Sequence, residues 1–230
     1  MAAVKKYTDN EFYFVTTYRK DSCSAFGTTT VPYSHPAIGR MDSLGAIQEL
    51  RHYSLNFGCV NFPADLIITE GRGIVTWGRE NRFYMLKVDS VGDVEWAKHF
   101  GDGGSVHFVK ELPGGDLLVG MNLPTAGAVV ARLDADGNFL WCKSYLRPNG
   151  MVHDAVIEVD GSFVITGVTD NTTQNMFIPL PISFQPKLFM MKLTADGDVN
   201  WCRGYDSAPN HWHTPRASRI VKTMDENYTI

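Results

Sequence analysis

Histidines and cysteines are the residues of this chain best suited to chemistry, and their spacing narrows what they can do. His211-Trp212-His213 sets two imidazoles two residues apart. On an extended segment both point to one side, where with a third donor they would hold zinc or copper. The reading preferred here is an exposed connection in which Trp212 packs, with no metal assigned. His35, in Pro32-Tyr33-Ser34-His35-Pro36, and His153, followed by Asp154, are the other candidates. Neighbouring strand residues face opposite ways, so Asp154 is not placed to orient His153 as a base. Asp154 and Asp65 are expected to be structural. Cys23, Cys59, Cys142 and Cys202 are far apart and form no Cys-x-x-Cys pair. Cys142 and Cys202 each follow a Trp, which predicts buried or half-buried thiols sharing one packing role rather than a disulfide. Gly-x-Ser-x-Gly, P-loop and His-Glu-x-x-His signatures are missing. The expectation is a protein with no catalytic residues and no cofactor.

The elements that carry these residues are read from a repeat. Val130 to Tyr145 runs as apolar alternation into Asp134, a turn closing on Gly137, and a second run with Phe139, Trp141 and Tyr145, which is a hairpin pattern. The same pattern starts at Met85 and at Met190, with a weaker copy at Arg40. Its turn glycines, Gly45, Gly92, Gly137 and Gly197, lie 47, 45 and 60 residues apart, a period characteristic of repeat architectures. Another hairpin precedes each copy, as in Val106 to Leu112, then Pro113-Gly-Gly-Asp116, then Leu117 to Gly120. Each unit therefore has four strands, named A to D in chain order. Trp96, Trp141 and Trp201 fall at one position of strand D, where the first unit has Glu49, and their shared place predicts packing between units. Asp89 and Asp134 read as turn-capping residues. Asp-Ala-Asp-Gly is too short for a full calcium loop.

Short antiparallel four-stranded units with Gly and aromatic signatures predict an all-β, β-propeller-like fold of about four blades plus a partial C-terminal unit. The chain is read as one domain, 1–230, with units at about 2–57, 58–102, 103–150 and 151–208 and a partial one at 211–230. A flat β-solenoid is the alternative. No stretch keeps a helical apolar stripe without Gly or Pro interrupting it. The final unit repeats strands A and B, as the N-terminal hairpin does, so the two ends do not complement each other. Three arrangements remain open: an excerpt of a longer propeller, a four-bladed ring with an extra hairpin, or an open arc completed by another copy or a partner.

The pattern Lys-Leu-(Asp/Thr)-Ala-Asp-Gly-x-x-x-Trp-Cys-(Lys/Arg)-x-Tyr, with Asp-Gly-Ser-Phe-Val-Ile-Thr-Gly after it, resembles the repeats of bacterial-type β-propeller proteins, often described as PQQ-like or unclassified propeller blades. The resemblance covers nearly the whole chain as architecture. It implies the fold and no particular activity, since such blades serve secreted, surface and particle proteins and some enzymes. The paired signatures of WD40 and kelch blades are missing, and no residue set of a PQQ site carries over.

The formal charge of -4 gives no reason to expect nucleic acid or an anionic membrane as partner. No charged N-terminal segment leads into an apolar run, so neither a signal peptide nor membrane insertion is expected, and synthesis is read as cytosolic. The sequons at Asn171 and Asn227 are read as chance matches. Length varies mainly between strands B and C, where the first unit inserts Arg19 to Ile38 and the fourth Asn171 to Lys187. The second insertion carries Phe177, Ile178, Leu180, Ile182 and Phe184, a group too apolar to stay fully wet. These residues, with Tyr33, His35, His211, Trp212 and His213, are the candidate protein-contact residues. The function expected is a non-enzymatic scaffold or adaptor whose loop-rich face binds protein, including copies of itself or a viral, phage or other large assembly. The alternative is a carbohydrate-binding module or an enzyme using the propeller face.

Overall fold

The computed structural model describes residues 2–25, 29–55, 62–79, 83–100, 103–146, 150–169, 187–206, 219–225 and 227–230; the side chains of 20–25, 29–33, 187 and 206 are outside the description. Four antiparallel sheets follow one another along the chain, each a four-stranded meander in sequence order. The first holds β1 (Ala3–Lys6), β2 (Glu11–Ala25), β3 (Thr29–Asp42) and β4 (Ile47–His52). The second holds β5 (Phe62–Ile68), β6 (Ile74–Arg79), β7 (Phe83–Val88) and β8 (Val94–Phe100). The third holds β9 (Ser105–Glu111), β10 (Leu117–Leu123), β11 (Gly127–Leu133) and β12 (Phe139–Tyr145). The fourth holds β13 (Met151–Ile157), β14 (Phe163–Thr169), β15 (Lys187–Leu193) and β16 (Val199–Asp206), and a two-stranded hairpin, β17 (Val221–Lys222) and β18 (Tyr228–Thr229), follows. This is the expected propeller-like all-β fold of four sheets and a smaller C-terminal unit. The chain divides into two compact units, Met1–Ser105 and Val106–Ile230.

Burial explains the sequence of each strand. The second strands of the second and fourth sheets are covered on both faces: β14 is buried throughout, and β6 at every residue except Arg79. Both therefore read as continuous apolar runs rather than alternations. Their polar members are satisfied locally. The buried Thr76 hydroxyl donates to the Asp65 carbonyl at 2.8 Å, and the buried Thr166 hydroxyl to the Phe189 carbonyl at 3.1 Å. Fourth strands such as β12 face solvent over much of their length, which is why polar residues alternate with Trp and Tyr there.

The turn between third and fourth strands is built alike in every sheet. Asp89 Oδ1 accepts the amides of Val91 and Asp93, Asp134 Oδ1 accepts that of Asn138, and the Thr194 hydroxyl takes the same role toward Asp198. The turn ends on Gly45, Gly92, Gly137 or Gly197, all with φ between 74° and 85°, where a Cβ would be strained. Just past it the strand pairing slips by one residue, between Arg40 and Met41, Lys87 and Val88, Arg132 and Leu133, and Lys192 and Leu193. The turn-capping role expected of Asp89 and Asp134 is what these bonds show.

The first sheet corrects one expectation. Arg19 to Ile38 is no looped insertion: β2 and β3 continue as a long ribbon, paired from Glu11↔Asp42 to Ala25↔Thr29 with a slip between Arg19 and Ser22. The segment does not alternate apolar with polar residues, so its strands are invisible to a periodicity argument.

Candidate functional site

Within each unit, neighbouring sheets are joined by a seam in which the fourth strand of one sheet grips the turn of the next. In the second unit the pairing Arg132↔Trp141 puts Trp141 on the outer half of β12. Its indole Nε1 donates to the Ala195 carbonyl at 3.2 Å, and its ring lies over Gly197, where an added Cβ would come within 2.9 Å of it. Two residues on, Lys143 pairs with Asp198 at 2.6 Å, and four residues on, the Tyr145 hydroxyl donates to the Gly197 carbonyl at 2.6 Å. Trp, base and tyrosine thus clasp a Gly-Asp turn, and the packing between repeats expected of Trp141 is present.

The first unit repeats the clasp with one part changed. Tyr53 donates to the Gly92 carbonyl at 3.0 Å, and Arg51 reaches Asp93 at 3.5 Å. At the Trp position, set by the pairing Arg40↔Glu49, stands Glu49, which turns aside to accept from Arg51 at 2.6 Å. Burial raises the Tyr53 hydroxyl to about 12 and pushes that of Tyr145 up as well, so both remain protonated donors. Sequence reasoning placed the tyrosine in the repeat pattern but gave it no role. Its signal was the recurrence of Tyr53, Tyr145 and Tyr205 four residues after the Trp position, with Phe100 the exception.

On the fourth sheet the clasp is exposed. Trp201, fixed by Lys192↔Trp201, is half-buried against a cluster formed by Val164, Met190 and Ile220, with Tyr228 beside it. Arg203 and Tyr205 face solvent. Tyr145→Phe is expected to cost about 1.5 kcal/mol, because the buried Gly197 carbonyl loses its donor, whereas Tyr205→Phe stays within about 0.5 kcal/mol. Urea denaturation midpoints of the two variants check this, and equal losses would remove the distinction between a closed and an open clasp.

The first strands carry a second set of contacts. Lys5 of β1 pairs with Asp65 of β5 at 3.2 Å, and Lys110 of β9 pairs with Asp154 of β13 at 2.8 Å. Asp154 also accepts the Ile220 amide at 3.1 Å, which ties the C-terminal hairpin to the fourth sheet together with Lys222–Glu158 and Tyr228–Glu158. Both aspartates are thus engaged structurally, as expected. His153 stacks on His107 with ring centroids 5.6 Å apart. Burial, and then the like charge of His153, hold His107 down to about 4. Its folded state favours the neutral ring, so this contribution is present above the ordinary histidine range near pH 6.5 and is lost as pH falls toward 4. Part of the His107 ring meets solvent, which keeps the effect small. Melting curves across that window should fall less steeply for His107→Gln than for the parent chain.

The candidate contact residues are placed as follows. His35 is in β3 opposite Tyr18 and only 6% exposed, with burial first and His52 second lowering its pKa. It therefore lies within the first sheet rather than on a loop. Tyr33 is on the same strand with its side chain outside the description. Phe177, Ile178, Leu180, Ile182, Phe184, His211, Trp212 and His213 lie outside the described residues. Cys202 is half-buried against the core, its thiol raised to about 12 by burial, while Cys142 is exposed, which corrects the expectation of two equivalent packed thiols. Among the described residues no three His, Cys, Asp or Glu side chains are grouped to hold a metal ion.

No family model matches the chain, and no curated protein matches it. Solved structures do. The Dos1 propeller is similar with a TM-score of 0.52 at 12% identity, over 85% of this chain and 48% of that one. A protein of unknown function from Dyadobacter fermentans is similar with a TM-score of 0.50 at 14% identity, over 85% of this chain and 60% of that one. A protein of unknown function from Bacteroides caccae has a TM-score of 0.47 at 10% identity, over 89% of this chain and 81% of that one. The chain thus spans about half the length of the Dos1 propeller chain it matches. At such identities the likeness concerns the fold alone: a propeller-like all-β fold of repeated four-stranded antiparallel sheets, distantly related to these proteins.

Proposed function

We propose that this chain is a non-enzymatic structural or adaptor protein that binds protein, copies of itself included, through the open clasp on its fourth sheet. The observation that carries the reading is the exposure of Tyr205, 42%, against 8% for both Tyr53 and Tyr145 at the same position of earlier sheets. Those two hold the turn of the next sheet. Tyr205 and Arg203 offer the same donor and cation to a Gly-containing turn, the acidic partner being optional. The chain itself carries such a turn at 42–46: Gly45 has nothing within 4 Å of its Cβ position, and Leu44 is 93% exposed. Contact would bury the tyrosine ring and pair one carbonyl, with polar rims setting orientation.

The apolar composition of Phe177, Ile178, Leu180, Ile182 and Phe184 supports the same reading from sequence alone. Under it the chain is a bacterial-type propeller-repeat protein used as a subunit of a large assembly, a viral or phage particle being the concrete form. Multi-angle light scattering over a range of concentrations tests the proposal. Defined oligomers that Tyr205→Arg disperses are the expected result. A monomer at every concentration, unchanged by that substitution, would sink it.

A further inference from the structure

The first sheet has one covered face and one open face. Ala3, Tyr13, Val15 and Ile38 pack with residues of the second sheet. Strand pairing puts Val4 and Leu50, and Lys6, Phe12 and Ile47, on the opposite side. There Val4 is 40%, Leu50 47% and Ile47 61% exposed, so the face is apolar and wet. On the fourth sheet the same face carries Ile157 and Phe163, at the places of Lys6 and Phe12, and both pack against the third sheet. The open face is therefore the one by which a sheet sits on the sheet before it.

The C-terminal hairpin copies the start of that first sheet. The Tyr7 amide donates to the Glu11 carbonyl at 2.9 Å, and the Thr223 amide to the Asn227 carbonyl at 2.8 Å. Counted from these turn bonds, Val4, Lys6, Asp9 and Phe12 correspond to Ile220, Lys222, Asp225 and Tyr228. Ile220 and Tyr228 pack with Val164 and Trp201 on the fourth sheet, and Lys222 pairs with the largely buried Glu158 carboxylate at 2.7 Å. The hairpin thus lies where the first two strands of a following sheet lie, while Arg203 and Tyr205 face solvent.

A sheet that puts its turn into a clasp brings its first strands with it. In both closed seams the two contacts occur together: Gly92 on Tyr53 with Asp65 on Lys5, and Gly197 on Tyr145 with Asp154 on Lys110. We propose, on the reading of the open clasp as a protein-binding site, that its occupant is the first sheet of a second copy, and that the C-terminal hairpin is a stand-in which that copy displaces. Val4, Lys6 and Phe12 of the incoming copy take the places of Ile220, Lys222 and Tyr228, so Glu158 again meets a lysine. Turn 42–46 reaches Tyr205 and Arg203, and Ile47 and Leu50 leave water, which drives the exchange. Assembly is then head to tail, each copy giving its first sheet and receiving on its fourth. Its apparent affinity is lowered in proportion to the fraction of chains whose hairpin is away.

Lys222→Glu in the full chain sets a second carboxylate against Glu158 and loosens the hairpin without touching the first sheet. Sedimentation velocity over a concentration series should show this variant assembling at about tenfold lower concentration than the parent chain. Tyr228→Ala, which removes the hairpin's aromatic contact, should act in the same direction. Adding Lys6→Glu, at a side chain 60% exposed in its own sheet, should return the loosened chain to monomer with its circular dichroism melt unchanged. Assembly that is unmoved or weakened in both folded hairpin variants would overturn the proposal, as would a gain that survives Lys6→Glu. Parent oligomers that Tyr205→Arg disperses but Lys222→Glu leaves unmoved would keep the clasp and remove the hairpin's role.

Discussion

Trp141→Ala is expected to destabilise the chain by about 3 kcal/mol, seen as a fall of about 10 °C in the melting temperature. The half-buried indole contributes three things at once. It packs over Gly197, it donates to the Ala195 carbonyl at 3.2 Å, and its ring centroid lies 6.4 Å from that of Phe163. Alanine loses all three and leaves the seam of the second unit held by Tyr145 and Lys143. Phe139 supplies the control: it lies on the same strand, is 49% exposed, and its replacement by alanine should stay within about 0.5 kcal/mol. Calorimetric melts of the two variants decide the matter. Equal losses would mean that the indole does not join the sheets.

The second large effect belongs to Gly167→Ala. A Cβ there would lie 1.9 Å from the Met151 carbonyl oxygen and 2.7 Å from the Phe189 ring. The nearer obstacle is backbone of the paired strand, where the pairing slips between Val152 and Asp154, so no side-chain rotation relieves it. Gly78 meets the Phe62 carbonyl at 2.0 Å beside the same slip, between Pro63 and Asp65, which marks the close approach as a repeated device. The expected loss exceeds about 3 kcal/mol, with broadened unfolding of the second unit. Gly45→Ala calibrates it. That glycine has φ 84° and open surroundings, so only backbone strain of about 1–2 kcal/mol applies. Urea titration that found Gly167→Ala the milder of the two would show that β13 yields easily.

Much of this fold was legible in the chain because its information is local and repeated. A turn glycine, a capping Asp or Thr and a Trp four residues beyond the glycine mark the same hairpin again and again, and the strand pairing puts Glu49 where the alignment of repeats put it. Tyr205 shows where such reading stops. Its sequence surroundings match those of Tyr145, yet one hydroxyl is buried on a glycine carbonyl and the other faces solvent. Nothing in either repeat records which neighbouring turn arrives. The seam beside Glu49 has the same character. That tryptophan is missing is visible in the sequence, but that Arg51 covers Gly92 in its place, its Nη1 3.0 Å from where a Cβ would stand, is decided by the folded seam.

The ribbon from Arg19 to Ile38 was hidden for the opposite reason. Backbone pairing runs through it, and pairing by itself leaves no periodic apolar trace in a sequence. His35 was misplaced with it, on a loop rather than 6% exposed inside β3. Sequence by itself determined the repeat, the turns and the class of fold, since each follows from propensities spanning a few residues. Tertiary structure alone decided which clasps close, which side chain covers each turn glycine and which tyrosine meets water, because those depend on the distance between sheets that are remote along the chain.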